Sequence, residues 1–99
     1  MSTEASIVNS ICQNLKRRGI WYKKNHGDIY SKKGEPDLEV MIPVGPPPLV
    51  KKYYFEVKKL CGRTTPLQLH RIEQLRKAGA IAEVVHTWTE VETIIGVES

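Results

Sequence analysis

The chain has 99 residues, 40% hydrophobic and 26% charged, enough for one modest core and ordinary for a globular domain. No apolar run approaches the roughly 20 residues a membrane span needs, and no signal peptide is visible at the start, so one cytoplasmic domain over 1–99 is expected. The net charge of +4 is uneven: residues 1–63 carry 12 Lys/Arg against 6 Asp/Glu, residues 64–99 carry 3 against 5, and a polyanion is a natural partner for the basic part.

Residues 4–18 read as a helix, with Ile7, Val8, Ile11, Cys12 and Leu15 at helical spacing and Gly19 as the stop. Cys12 reads as a core thiol and the distant Cys61 as a loop residue; neither has a metal-spaced partner, and no disulfide is expected between them. Strand character follows over 20–24 and in a second piece over 28–31, with Asn25, His26 and Gly27 as the turn between. Residues 37–42 alternate as a strand. The run Pro43, Gly45, Pro46, Pro47, Pro48 forms a connection that cannot sit inside a sheet, because successive prolines donate no ladder hydrogen bonds. Residues 50–58 form the next strand, rich in aromatic and β-branched side chains. Thr65 as N-cap and Pro66 at the first position open a helix over 66–78, and Gly79 closes it. A strand over 81–86 and a short helix over 88–95 complete the chain, the helix introduced by Thr87 and Glu90 at capping-box spacing. The fold class is α/β with a mixed sheet.

The chemistry concentrates in Gly34-Glu35-Pro36-Asp37 and Phe55-Glu56-Val57-Lys58. Alternation along the strand puts Glu56 and Lys58 on one face and Tyr53, Phe55 and Val57 on the other. A hairpin centred near Pro46 sets Asp37 opposite residues 55–57, with facing positions about 5 Å apart. Two carboxylates that close repel, and Mg²⁺, which favours a few carboxylates with water and phosphate oxygens, resolves the conflict. Lys58 beside them suits a phosphate or the attacking water, and a metal acidifies that water and neutralises charge in a phosphorane-like transition state. Duller accounts exist for each residue: Asp37 as a turn residue, Glu56 and Lys58 as an exposed ion pair. Glu4, on the core-facing side of the first helix, is either a third acid or a first-turn residue favoured by the helix dipole. Gln68 points inward toward the site, or its amide is occupied by a capping box with Thr65.

This ordered set, from Glu4 through Gly34-x-Pro36-Asp37, Glu56-x-Lys58 and Gln68 to the Gly79 turn, resembles the PD-(D/E)XK nuclease superfamily and, more narrowly, its VRR-NUC (virus-type replication-repair nuclease) group of the stand-alone kind. The resemblance covers about residues 4–95. It implies a restriction-endonuclease-like αβββαβ core, a central mixed sheet flanked by helices. It implies Mg²⁺ or Mn²⁺ held by Asp37, Glu56 and the Val57 carbonyl, with Glu4 acting directly or through water and Lys58 positioning the nucleophile. No small-molecule cofactor is expected. Members occur in phages, bacteria and larger eukaryotic repair enzymes. The stand-alone ones look like homodimeric endonucleases selective for branched DNA, Holliday junctions or flaps, in replication, recombination or repair; a phage-encoded one would work in the host cytoplasm. Trp21, Tyr22, Tyr30 and Pro46–Pro48 are candidate interface groups.

Phosphate contacts fall to Lys16, Arg17, Arg18, Lys23, Lys24, Lys32, Lys33, Lys51, Lys52, Lys59 and Arg63. No recognition-helix motif is apparent, so DNA shape rather than sequence is the expected signal. His26, His70 and His86 lack metal-ligand spacing. A non-catalytic basic nucleic-acid-binding module, a sequence-specific restriction-type endonuclease, and an accessory or inhibitor protein with no DNA contact are the competing functions.

Overall fold

Helix α1 spans Glu4–Arg17 and is opened by Thr3, whose hydroxyl accepts from the Ser6 N–H while Ser6 Oγ accepts from the Thr3 N–H. The computed structural model describes residues 3–25 and 34–96. Gly19 ends the helix with φ +71°, a conformation that costs an L side chain, and the chain turns into β1, Trp21–Lys24. The expected strand piece at 28–31, with His26, Tyr30, Lys32 and Lys33, lies outside the described residues.

Strands β2 (Leu38–Pro43) and β3 (Val50–Val57) form a hairpin in the expected register, with Leu38 facing Phe55. Pro43 departs from the reading of the connection: it is the last residue of β2, opposite Val50, where a missing donor at the strand end disturbs little. Pro46–Pro48 stay outside the sheet, and Val44 N–H to Leu49 O and Leu49 N–H to Pro46 O close the turn.

Helix α2, Pro66–Lys77, crosses back so that β4 (Ile81–Val85) runs parallel to β3. Helix α3 covers Trp88–Gly96. Its capping box closes by half. Thr87 Oγ1 accepts from the Glu90 N–H, but the Glu90 carboxylate reaches the His86 N–H and Nδ1 instead of Thr87. The sheet order is β1-β2-β3-β4, antiparallel except at the last pair.

One face of the sheet holds the core. Val8, Ile11, Cys12 and Leu15 of α1 and Val91 and Ile95 of α3 pack on Leu38, Val40, Tyr53, Phe55, Val57 and Val85. Fully burying a side chain such as Phe55 stabilises the fold by roughly 1.5–3 kcal/mol. Cys12 is a buried free thiol, its pKa pushed up by that burial, and Cys61 is exposed, both as expected. On the other face α2 packs against β4 and β3, with Ile72 and Ala82 buried. Among the described residues no helix is long and apolar enough to cross a membrane.

Candidate active site

The turn into β2 is held from two directions. Gly34 has φ +86°, and a methyl group added there would lie 2.7 Å from Leu67 Cγ and 3.2 Å from the Leu67 carbonyl oxygen, so only glycine fits against α2. Glu35 pairs with Arg71 of α2 at 3.1 Å, and Pro36 is fully buried. These contacts fix where Asp37 enters the sheet. The Glu35–Arg71 pair has no local sequence signature, since 36 positions separate the partners and only the fold joins them.

Asp37 continues the β2–β3 ladder one step beyond Leu38, which sets it opposite Glu56 on the same face. Its Oδ2 accepts a 2.8 Å hydrogen bond from the Val57 N–H. Within an extended strand a residue's N–H and C=O leave by the same edge, so the Val57 carbonyl also faces the Asp37 side.

Glu56 is 3% exposed. Its Oε2 accepts from Gln68 Nε2 at 3.0 Å and lies 3.6 Å from Lys58 Nζ. Its Oε1 is buried and takes no hydrogen bond among the described residues. Burial first, then the charge of Asp37, lift the Glu56 carboxyl from its ordinary 4.5 to about 8; Lys58 opposes the rise. The site is therefore short of positive charge. A buried carboxylate oxygen with no donor, facing a second carboxylate, fits a divalent cation bound by oxygen ligands.

Gln68 settles the choice left open by its spacing, because it does both things. Its Oε1 accepts from the Thr65 N–H at 2.8 Å and Thr65 Oγ1 accepts from the Gln68 N–H, completing the capping box. The box uses only the carbonyl oxygen of the side chain, so the NH₂ group remains to hold Glu56.

Glu4 stands apart from the acid pair. Its Oε2 lies 3.5 Å from where a methyl on Gly62 would be, in the loop after β3 that Gly62 N–H to Lys59 O closes at 2.8 Å. No group of three His, Cys, Asp or Glu able to hold a metal ion forms among the described residues. Glu4 thus borders the loop beside the site without joining Asp37 and Glu56 in one cluster.

The basic residues divide between sides. Lys59 and Arg63 are exposed in the loop beside the site, and Lys23 and Lys52 lie on the acid-bearing face of β1 and β3. Lys51 falls on the alternate face of β3, and Lys24 turns toward α1, its Nζ 3.5 Å from Asn9 Oδ1. Lys16 and Arg17 are exposed in the last turn of α1. Arg18 is ion-paired with Glu92 and lies 5.1 Å over the Trp88 ring, so its charge already has structural partners.

No family model matches the sequence, and no curated protein matches it. Solved structures do match, among them two over nearly the whole chain. One, described as a VRR_NUC domain, is 26% identical with a TM-score of 0.72, and the match covers 96% of this chain and 97% of that one. The other, described as a VRR_NUC domain protein, is 23% identical with a TM-score of 0.76, covering 96% of this chain and 86% of that one; at that identity it speaks for the fold alone. By fold, over nearly its whole length, the chain resembles VRR-NUC domains.

Proposed function

We propose that the chain is a Mg²⁺- or Mn²⁺-dependent deoxyribonuclease that cuts branched DNA internally, working as a homodimer. The observation that carries this reading is the buried Oε1 of Glu56, which takes no hydrogen bond among the described residues, on a carboxyl group opposite Asp37 in the hairpin. Asp37, Glu56 and the Val57 carbonyl would hold the ion, and Glu4 would contribute through a bridging water. The bound ion would acidify a water and neutralise charge on the phosphoryl oxygens.

The chain's own groups do the rest. Gln68 fixes the rotamer of Glu56 while capping α2, so a rigid helix end sets the position of the acid. The Val57 N–H orients the Asp37 carboxylate. Lys58, 13% exposed at its side chain, offers an ammonium beside Glu56 that can hold the attacking water or a non-bridging phosphate oxygen. Lys59 and Arg63 supply phosphate contacts at the rim.

The test is cleavage of a four-way junction, a flap and a linear duplex in Mg²⁺, Mn²⁺ or EDTA, with wild type and Lys58→Ala. The expected result is cutting of the branched substrates that EDTA abolishes and Lys58→Ala reduces by about 10²-fold or more. Cleavage that survives EDTA defeats the metal mechanism. Equal rates on junction and linear duplex defeat the branched-DNA preference. Sedimentation at cleavage concentrations tests the dimer.

A further inference from the structure

The sheet face that carries Asp37 and Glu56 extends well past them. Opposed residues in an antiparallel pair share a face, so Trp21 and Lys23 of β1, Met41 of β2 and Lys52 of β3 lie on the acids' side. Their alternates Tyr22, Val40 and Tyr53 pack into the core beneath α1. Helix α2 covers this face only over β3 and β4. Trp21 is left 48% exposed, beside a groove of about 300 Å³ to which Met41, Pro43 and Val50 contribute. Lys23, two residues further along β1, and Lys52, opposite Met41, are exposed on the same face. Glu39, the acid between among the described residues, accepts a hydrogen bond from the Tyr54 hydroxyl, whose pKa rises from burial and from that charge.

An exposed indole flanked by ammonium groups suits one ligand class in particular. A base stacked on an aromatic ring contributes about 1–3 kcal/mol, and nearby lysines hold the phosphates on either side. A base inside a duplex is stacked on its neighbours and does not offer its face. The ring therefore selects unpaired nucleotides. Four residues of strand separate the Trp21 level of β2 from Asp37, about 13 Å at 3.3 Å each, or about four stacked nucleotides.

We propose that Trp21, with Lys23 and Lys52, forms a stacking platform for the single-stranded arm of the DNA whose junction lies at Asp37 and Glu56. The proposal deepens the nuclease reading and rests on it, because it explains how a flap, with its unpaired arm, would be told from a plain duplex.

The experiment measures binding in EDTA, where no cleavage intervenes, of an eight-residue oligo(dT) and of a blunt duplex. Trp21 emission is read in a Trp88→Phe background and checked in wild type. Quenching of Trp21 by oligo(dT) is expected. The ratio of oligo(dT) to duplex affinity should fall about 5- to 100-fold in Trp21→Ala and largely return in Trp21→Phe. A dinucleotide should quench far less than the octamer. The proposal is overturned by unquenched emission, by equal losses for both DNAs, or by emission that follows protein concentration instead of DNA, the mark of a ring covered by a second copy. Metal-dependent cutting of branched DNA without quenching sinks the platform alone. Quenching by a chain that cuts no DNA sinks the nuclease reading alone.

Discussion

At its C-terminal end strand β3 buries side chains on both faces, and they behave oppositely. On one, Tyr53, Phe55 and Val57 are fully buried in apolar contact with α1 and α3. On the other, Glu56 is 3% exposed among Asp37, Lys58 and Gln68. Burial of the first set releases apolar surface from water and stabilises the fold. Burial of the second desolvates a carboxyl group next to another, and the cost is relieved only by a proton or a cation. One strand thus carries both apolar burial that stabilises the fold and an electrostatic conflict between two carboxyl groups.

The sharpest way to break this contrast is to remove one side chain from each face. Glu56→Ala should lower metal-dependent cleavage by about 10³-fold or more while leaving the circular dichroism spectrum and melting temperature of the metal-free protein intact or slightly improved. Phe55→Ala should do the reverse. It should cost about 3–5 kcal/mol of unfolding free energy in a denaturant titration. Any cleavage still present in the folded fraction should keep the wild-type metal dependence. If Glu56→Ala proves as destabilising as Phe55→Ala, the acid-bearing face is structural and the contrast fails.

The pH dependence sharpens the same point. Folded Glu56 keeps its proton to about pH 8, whereas the unfolded chain releases it near 4.5. Between those values the folded state binds more protons, so stability is greatest at the acid end and falls as pH rises toward 8. The melting temperature of the metal-free protein should therefore decline from pH 5 to pH 8, and Glu56→Gln should flatten the decline. Metal must displace the same proton, so Mn²⁺ affinity should climb by up to about tenfold per pH unit until it levels near 8. Calorimetric titration in buffers of different ionisation enthalpy should show close to one proton released per ion bound at pH 6–7. A flat Mn²⁺ affinity across that range would show that Glu56 does not contact the ion.

Much of this architecture was legible in the sequence because its signals are local. Thr65, Pro66 and Gly79 bracket α2 through capping chemistry that acts over three or four residues. The proline run fixed the centre of the hairpin, and that alone placed Asp37 opposite Glu56. Where the reading was incomplete, the cause was a contact that crosses the fold. Glu90 has the spacing to cap Thr87 but finds His86 within reach. Glu35 and Arg71 meet only because α2 lies over the turn that Gly34 permits. Glu4 has the periodicity of a core-facing residue, yet the loop carrying Gly62 is what it meets. Trp21 gives no sign in the sequence that α2 stops short of its strand.

The smallest expected effect isolates what one residue adds to a helix cap. Helices α1 and α2 open with the same reciprocal box, Thr3 with Ser6 and Thr65 with Gln68, and the hydrogen bonds that close both are 2.8–3.1 Å long. Serine spends its hydroxyl within the box, whereas glutamine has an amide left over, and that amide holds Glu56. Ser6→Ala should cost at most about 1 kcal/mol of stability and leave Mn²⁺ affinity unchanged. Gln68→Ala should cost a similar amount of stability but also weaken Mn²⁺ binding by about 10- to 100-fold, the usual effect of losing a group that orients a metal ligand. Gln68→Ser separates the two roles, because serine restores the kind of cap found at α1 but is too short to reach Glu56. Its stability should return toward wild type while its Mn²⁺ affinity stays low. Recovery of both together would mean that the cap alone orders the site and that the amide contact to Glu56 is incidental.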